Sequence, residues 1–314
     1  MSPPHMTAVP DIPATLSASL PPVRGTYTPA APLAPLTTFG IGGPAEVLFT
    51  PADIQDMADF WRRRPAGVPV TLLGEGSNVL VRDGGIPGIT VRIGPGCDNV
   101  KIQGHILYCE AGAGTGKVAR AARNAELAGA AFLCGIPGSM GGALVMNAGC
   151  YGEELCDRLT AVDVIDDKGV LQRMAPEFFK FAYRSSTLPE NWIFAGAEMA
   201  LTASTKQDIR TCMRHINHKR GSSQPLKWPN AGSLFKNPPD NKAWELIQQA
   251  GCRGLRRGDA QVSEKHSNFF INRGHATAAD MEDLAEEVRT RVFEKTGVTL
   301  VWEVRLLGDR VQSF

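Results

Sequence analysis

The chain has 314 residues, with 43% hydrophobic and 21% charged residues, enough for about two domains at the usual ~100–200 residues each. A formal net charge of +1 with no basic block gives no footing for nucleic-acid or membrane-surface binding. Seven cysteines, at 97, 109, 134, 150, 156, 212 and 252, form no C-x-x-C pair and leave one over, which fits reduced thiols in a cytoplasmic protein better than a disulfide framework.

Residues 1–35 hold nine of the 22 prolines. They lack the charged start and apolar run of a signal peptide, and a disordered tail is expected there, with structure beginning near Leu36. Short strands follow at "AEVLFTP", "PVTLLG", "NVLVRD", "GITVRIG" and "HILYCEAGAG". Between them lie two helices, "PADIQDMADFWRR", with Ile54, Met57 and Trp61 at helical spacing, and "GKVARAARNAELAG", expected to end at Gly129. Leu127–Gly152 has no charged residue, long enough to imitate a membrane span. Its seven glycines and Pro137 cannot hold an unbroken lipid-exposed helix, so irregular buried backbone is expected instead. Strands "LTAVDVIDDKG" and "NWIFAGAEMAL" come next.

"TKQDIRTCMRHINHKR" places Ile209, Met213 and Ile216 on one face and reads as a surface helix opening a second domain. His215 and His218 lie on its wet side with no third ligand for zinc, and no metal site is expected. "KAWELIQQAG" is a further helix. "TAADMEDLAEEVRTRVFEKTG" starts on a Thr277–Asp280 capping pattern and ends at Gly297. In the closing "VTLVWEVRLLG", Val298, Leu300, Trp302, Val304 and Leu306 share one face, so Glu303 points to the other.

Three glycine patterns compete for a nucleotide. "GIGGPA" is broken by Pro44 and lacks a βαβ setting. "GAGTGKV" is one residue short of a phosphate loop and has Val118 where a magnesium-binding hydroxyl is needed. "LLGEGSNVLV" places Gly74, Glu75, Gly76, Ser77 and Asn78 in a turn between strands, where successive amides can hold an anion. A second nest at Gly138–Ser139, with Gly142 and the amides around Asn147–Gly149, completes a diphosphate clamp. In "NAGSLFKNP", Ser233 by itself reads as a turn residue bonding its own backbone.

"TTFGIGG", "LGEGSNVLVRDGGIPG", "GIPGSMGGALVMNAGCYG", "YRSS", "NAGSLFKNP", "AQVSEKHSNFFIN" and "WEVRLLG" occur in one order. From Leu36 to Gly308 the chain resembles the UDP-N-acetylenolpyruvoylglucosamine reductase family of peptidoglycan precursor synthesis. That resemblance implies an α+β fold: a two-subdomain FAD-binding unit of the p-cresol methylhydroxylase type over 36–204, then an α+β substrate domain over 205–314. It implies FAD as cofactor, NADPH as co-substrate and UDP-N-acetylglucosamine enolpyruvate as acceptor; the two glycine nests and the lack of a tethering histidine in "GEGSN" make noncovalent FAD the expectation, and a monomer is expected. The short span from Arg184 to Ser233 is similar to the subtype lacking a tyrosine-bearing loop.

By the same resemblance, Ser233 is the acid that protonates the substrate, while Arg184 and Glu303 stabilise charge. Glu303 would donate a hydrogen bond if protonated, or orient Arg184 if ionised. On the residues alone, Glu303 is a strand-face partner of Arg305, and Arg184 is a surface charge. Arg220, Gln224, Lys236 and Asn237 are the implied substrate contacts. His266 faces the substrate carboxylate or is a core histidine. A small-alcohol or sugar oxidase on the same flavin fold is the rival, but such relatives often tether flavin through a histidine that "GEGSN" lacks.

Overall fold

The structure, a computed structural model, describes residue 16 and residues 18–311. Its first sheet has four strands in the order Thr26–Pro32, Pro44–Thr50, Ile86–Arg92 and Val70–Leu73. The first pair is antiparallel and the others are parallel. Helix Ile54–Arg63, capped by the Asp53 carboxylate, lays Met57, Phe60 and Trp61 on Val47, Phe49, Ile89 and Val91.

The expected disordered tail is corrected here. Residues 1–15 and 17 lie outside the described residues, but from 18 onward the tail belongs to the fold. Thr26–Pro32 pairs along the length of Pro44–Thr50, and Leu33 is fully buried. Pro29 and Pro32 are tolerated because this is an edge strand, where a missing amide donor costs little. The Arg24 and Gly25 amides each donate to the buried Asp56 carboxylate at 2.8 Å.

A second, antiparallel sheet runs Leu171–Met174, Leu159–Ile165, Ile193–Ala200, Ile106–Glu110, Val100–Gln103. Helices Thr115–Asn124 and Met140–Val145 cover it. The first of these stops short of the expected Gly129, because Glu126 turns left-handed and Leu127–Ala128 pairs as a strand. Helix Lys206–Ser223 also packs here, with Ile209, Met213 and Ile216 in this core. The helix expected to open a second unit therefore closes the first. The uncharged 127–152 segment is irregular and largely buried, as expected, with a 3₁₀ turn at Ala131–Gly135 and a six-residue helix. Among the described residues no helix is long and apolar enough to cross a membrane, and all seven cysteines are free.

The C-terminal part has a three-stranded antiparallel sheet, Arg256–Arg257, Ala260–Val262 and Phe270–Asn272, and helices Ala243–Gln249 and Ala278–Thr296 share its core. The second helix has the expected Thr277–Asp280 capping box and a left-handed Gly297 at φ +73°. Only Arg305–Leu307 of the closing segment is a strand, but Leu300 and Val304 are buried and Val301 exposed, so the alternation holds.

Contacts with the first half are extensive. Arg305–Leu307 pairs in parallel with Val79–Val81, and Phe39, Ile41 and Leu80 join the C-terminal core. Asp83 accepts from the Ala278 and Ala279 amides at 2.9 Å. Beside it, Arg82 and Arg310 both bond the buried Glu282.

Candidate active site

The two glycine nests expected from the sequence face one cavity. A Cβ on Gly74 would stand 2.6 Å from Ser139 Oγ, and one on Gly138, at φ +127°, 2.6 Å from Ser77 Oγ. A side chain at either position would crowd the serine hydroxyl, and the positive φ of Gly138 favours glycine further. The cavity, about 520 Å3, is lined by Gly74, Glu75, Gly114, Gly138, Arg92, Lys117, Arg120 and Arg220 among others. A Gly114–Ser139 bridge and the Thr115 amide on the Gly138 carbonyl at 2.9 Å hold its walls together. Glycine backbone beside four cations is a donor set for a diphosphate, and the site fits that part of FAD.

The sequence reading missed several of these residues. "GAGTGKV" was set aside as a nucleoside-triphosphate loop, yet Gly112, Gly114, Thr115, Gly116 and Lys117 line this same cavity. Their signal is glycines opening a helix, which the nucleoside-triphosphate motif does not describe. Arg92 and Arg120 had no local signal. Of the expected cofactor contacts, Gly74, Glu75 and Gly138 line the cavity, while Gly76, Ser77, Asn78, Ser139, Gly142, Asn147 and Gly149 are not in its lining. Asn147 is fully buried, and its amide serves the protein: Nδ2 donates to Glu154 at 2.8 Å, and Oδ1 accepts from the Cys156 amide at 3.1 Å. Gly142 sits in the first turn of helix Met140–Val145, its amide donating to the capping Ser139 hydroxyl.

The second group of expected site residues begins at Arg184. A tight turn, hydrogen-bonded both ways between Ala182 and Ser185, puts Arg184 at φ +52°. That conformation is uncommon outside glycine and is tolerated where the surroundings enforce it. Its guanidinium lies 5.4 Å from the Tyr183 ring centroid and donates to the Gly149 carbonyl at 3.3 Å. Nε stands 2.9 Å from Glu303 Oε1. The contact is close enough for an ion pair but poorly aligned, so Nε lacks a well-directed acceptor. A buried donor in that state is a place for an anionic ligand.

Glu303 thus pairs across the site with Arg184, not with the neighbouring Arg305. Burial raises its carboxyl above the ordinary range, although Arg184 and the charge of Lys236 pull the other way. Its main chain anchors two site segments. The amide donates to Leu234 at 2.8 Å, and the carbonyl accepts from Asn78 Nδ2 at 3.2 Å. The glycine turn and the Glu303 backbone are therefore one hydrogen bond apart.

Ser233 is half-buried and pairs across from Phe269. The segment following it is clamped by Asn268, whose Oδ1 accepts from the Phe235 amide at 3.0 Å and whose Nδ2 donates to the Phe235 carbonyl at 2.8 Å. Asn268 is another residue the sequence did not single out. Asn237 accepts from the Ala243 amide at 3.0 Å and donates to the Tyr183 hydroxyl at 3.4 Å, beside Arg184. Arg220 Nε bonds Gln224 Oε1 at 2.9 Å. Burial pushes the His266 imidazole below its ordinary pKa; its ring is edge-on to Phe269 and its buried Nδ1 has no partner. It is not a satisfied core histidine.

Residues 45–175 match the FAD binding domain family. With the glycine cavity and the Arg184–Glu303 pair, that makes the protein an FAD-binding oxidoreductase. Residues 224–307 match the C-terminal domain of UDP-N-acetylenolpyruvoylglucosamine reductase. The reductase of Azorhizobium caulinodans is 48% identical over 96% of this chain and 98% of its own. That of Parvibaculum lavamentivorans is 50% identical over 95% and 96%. The crystal structure of the Thermus caldophilus reductase (MurB) is 34% identical, with a TM-score of 0.79, and covers 91% of this chain and 100% of its own. The chain belongs to the UDP-N-acetylenolpyruvoylglucosamine reductase family.

Proposed function

We propose that Arg184, Glu303 and Ser233 carry the reduction of the enolpyruvyl group of UDP-N-acetylglucosamine enolpyruvate to the lactyl ether of UDP-N-acetylmuramate. This is the family's reaction, with NADPH as reductant. The observation that carries the proposal is the Arg184–Glu303 contact at 2.9 Å, one hydrogen bond from the flavin-cavity turn through Asn78. Bound FAD supplies hydride to the terminal carbon of the enolpyruvyl double bond.

Negative charge then develops on the carbon bearing the carboxylate. Arg184 offers a planar cation to that carboxylate and to the developing enolate. Glu303, its ionisation disfavoured by burial, donates a hydrogen bond to the same charge when protonated. Ser233 Oγ–H delivers the proton to the carbon, and the charge of Lys236 favours the alkoxide that remains until solvent reprotonates it. Arg220, Gln224, Asn237 and His266 contact the sugar nucleotide. The unpaired His266 Nδ1 supports its place in that set. Gly74–Asn78 and Gly138–Ser139 hold the FAD diphosphate, and Gly149 sits on the reaction side beside Arg184.

A monomer in the cytoplasm is the proposed working form, the location supported by seven cysteines with no C-x-x-C pair and one left over. The flavin is bound noncovalently. A small-alcohol or sugar oxidase is not favoured, because residues 224–307 match the reductase's own C-terminal domain.

Ser233→Ala separates the two half-reactions. NADPH should bleach the flavin at close to the wild-type rate. Reoxidation by the enolpyruvyl substrate should fall by at least the ~10²-fold typical of a lost positioned acid. Stopped-flow absorbance reads both, and reoxidation at the wild-type rate would return Ser233 to the role of a turn residue.

A further inference from the structure

A second cavity, about 660 Å3, opens beside the first, lined by Gln224, Lys227, Trp228, Arg256, Lys265 and Arg273 among others. Four of its lining side chains are cations and one, Glu264, is an acid, in a chain whose net charge is only +1. Arg256 reaches Asp259 at 3.4 Å. Among the described residues the other three cations are in no ion pair. Arg273 instead lies on the Trp228 ring, 3.9 Å from its centroid, with Lys227 at 5.8 Å from the same ring. Lys265 Nζ rests on the Gly221 carbonyl. Stacking on an aromatic face orients a guanidinium while leaving its edge donors free for a phosphate.

The cavity shares a sheet face with Ser233. Ser233 pairs across from Phe269, and the Phe269 carbonyl accepts from the Ser263 amide at 2.8 Å. These three continue the register of Ala260–Val262 and Phe270–Asn272 just beyond the strand ends, which puts their side chains on one side of the sheet. Gln261 and Ile271, a cross-strand pair two residues along, lie on that side too and line the cavity with Ser263. Ala260, Val262 and Phe270 face the core on the other side. Two strand spacings of ~4.8 Å put Ser263 about 10 Å from Ser233. The Arg220–Gln224 hydrogen bond separates the two cavities, since Arg220 lines the first and Gln224 the second.

We infer that this cavity reads the 2′-phosphate of NADPH, and that Arg256 and Arg273 select NADPH over NADH. The inference rests on the proposed function and takes NADPH, like the enolpyruvyl substrate, to meet the flavin on the Ser233 side. A dinucleotide reacting there leads its adenosine end away along the sheet. The 2′-phosphate is a monoester carrying close to two charges at that far end. It suits a solvent-open site of exposed Arg256, Lys265 and Arg273. An inner diphosphate, flanked by sugars, suits it less.

The test uses the FAD-loaded full chain carrying Arg256→Ala and Arg273→Ala together, with Arg273→Lys as the charge-keeping variant. Flavin bleaching is followed by stopped flow against NADPH and NADH concentration, and reoxidation against the enolpyruvyl sugar nucleotide. The double variant should need at least ~10-fold more NADPH for half-maximal bleaching, the loss of one or more charge-assisted hydrogen bonds. Its NADH dependence and its half-saturation by the sugar nucleotide should not move, and Arg273→Lys should restore part of the NADPH affinity. An unchanged NADPH-to-NADH ratio overturns the inference. A rise confined to the reoxidation half also overturns it and gives the cavity to the UDP group. Wild-type protein that NADPH does not bleach at all would instead sink the underlying reading of function.

Discussion

Asn268→Ala should loosen the segment that presents Ser233. Asn268 is 3% exposed, and its amide satisfies both the N–H and the C=O of Phe235, at 3.0 and 2.8 Å. Alanine leaves two buried backbone groups without partners, at ~1–3 kcal/mol each. The Leu234 amide on the Asn268 carbonyl and the Lys236 amide on Val301, both at 2.8 Å, survive and limit the collapse. We therefore expect a loss near the lower half of the summed range, about 2–4 kcal/mol. At roughly 2 °C per kcal/mol for a chain this long, melting falls by ~4–8 °C. The melts are run at one fixed FAD concentration, because bound ligand shifts the midpoint. Stopped flow should then show NADPH bleaching nearly intact and substrate-driven reoxidation slowed, since on the proposed function only the second half needs Ser233 in place. A stability loss under ~1 kcal/mol with unchanged reoxidation would refute the reasoning, because the low end of the cost of even one orphaned backbone group exceeds it.

Glu303→Gln tests a cost the site carries. Burial raises the Glu303 carboxyl, so its contribution to stability is full below the unfolded pKa and is lost as pH rises through the folded one. At pH 8 the Gln variant should melt no lower than wild type while reoxidation slows by ~10²-fold; a lower melting point or an unchanged rate counts against it. Glu282→Gln runs the other way. Burial opposes ionisation, but hydrogen bonds and charge from Arg82 and Arg310 outweigh it and hold the carboxyl below its ordinary range. That stability is present above the unfolded carboxyl pKa and is lost as pH falls through the folded one. The variant should cost about 3 kcal/mol at neutral pH, in urea melts, with the gap closing in acid; a gap independent of pH would contradict the assignment. A chain starting at Ala34 loses the strand Thr26–Pro32 and the buried Leu33. It should be destabilised by at least ~2 kcal/mol, and a melting curve matching the full chain would show that the strand adds nothing.

What the sequence determined by itself is local chemistry. The Thr277–Asp280 box and Gly297 marked both ends of helix Ala278–Thr296, because caps act over one turn. The alternation through Leu300 and Val304 survived although little of that segment is a strand, because burial of one face needs only a period of two. The glycine turns were legible because close approach and positive φ admit few other residues. Tertiary structure decided the rest. Proline count spoke for disorder in residues that became an edge strand, since pairing with Pro44–Thr50 is a property of the partner. The apolar face of Lys206–Ser223 could be read but not what it would meet, and it met the first unit's core. Asn147 and Asn268 are chemically alike in the sequence and both are buried. Only the fold shows that one braces the loop through Glu154 and Cys156 while the other holds the segment after Ser233. Arg184 and Glu303 come from different halves of the chain and meet at 2.9 Å because Arg305–Leu307 pairs with Val79–Val81, which follows the Gly74–Asn78 turn. Side-chain type and short-range geometry are carried by neighbours in the chain. The partner of a strand, a helix face or a charge is chosen by surfaces far along it, and those exist only once the chain has folded.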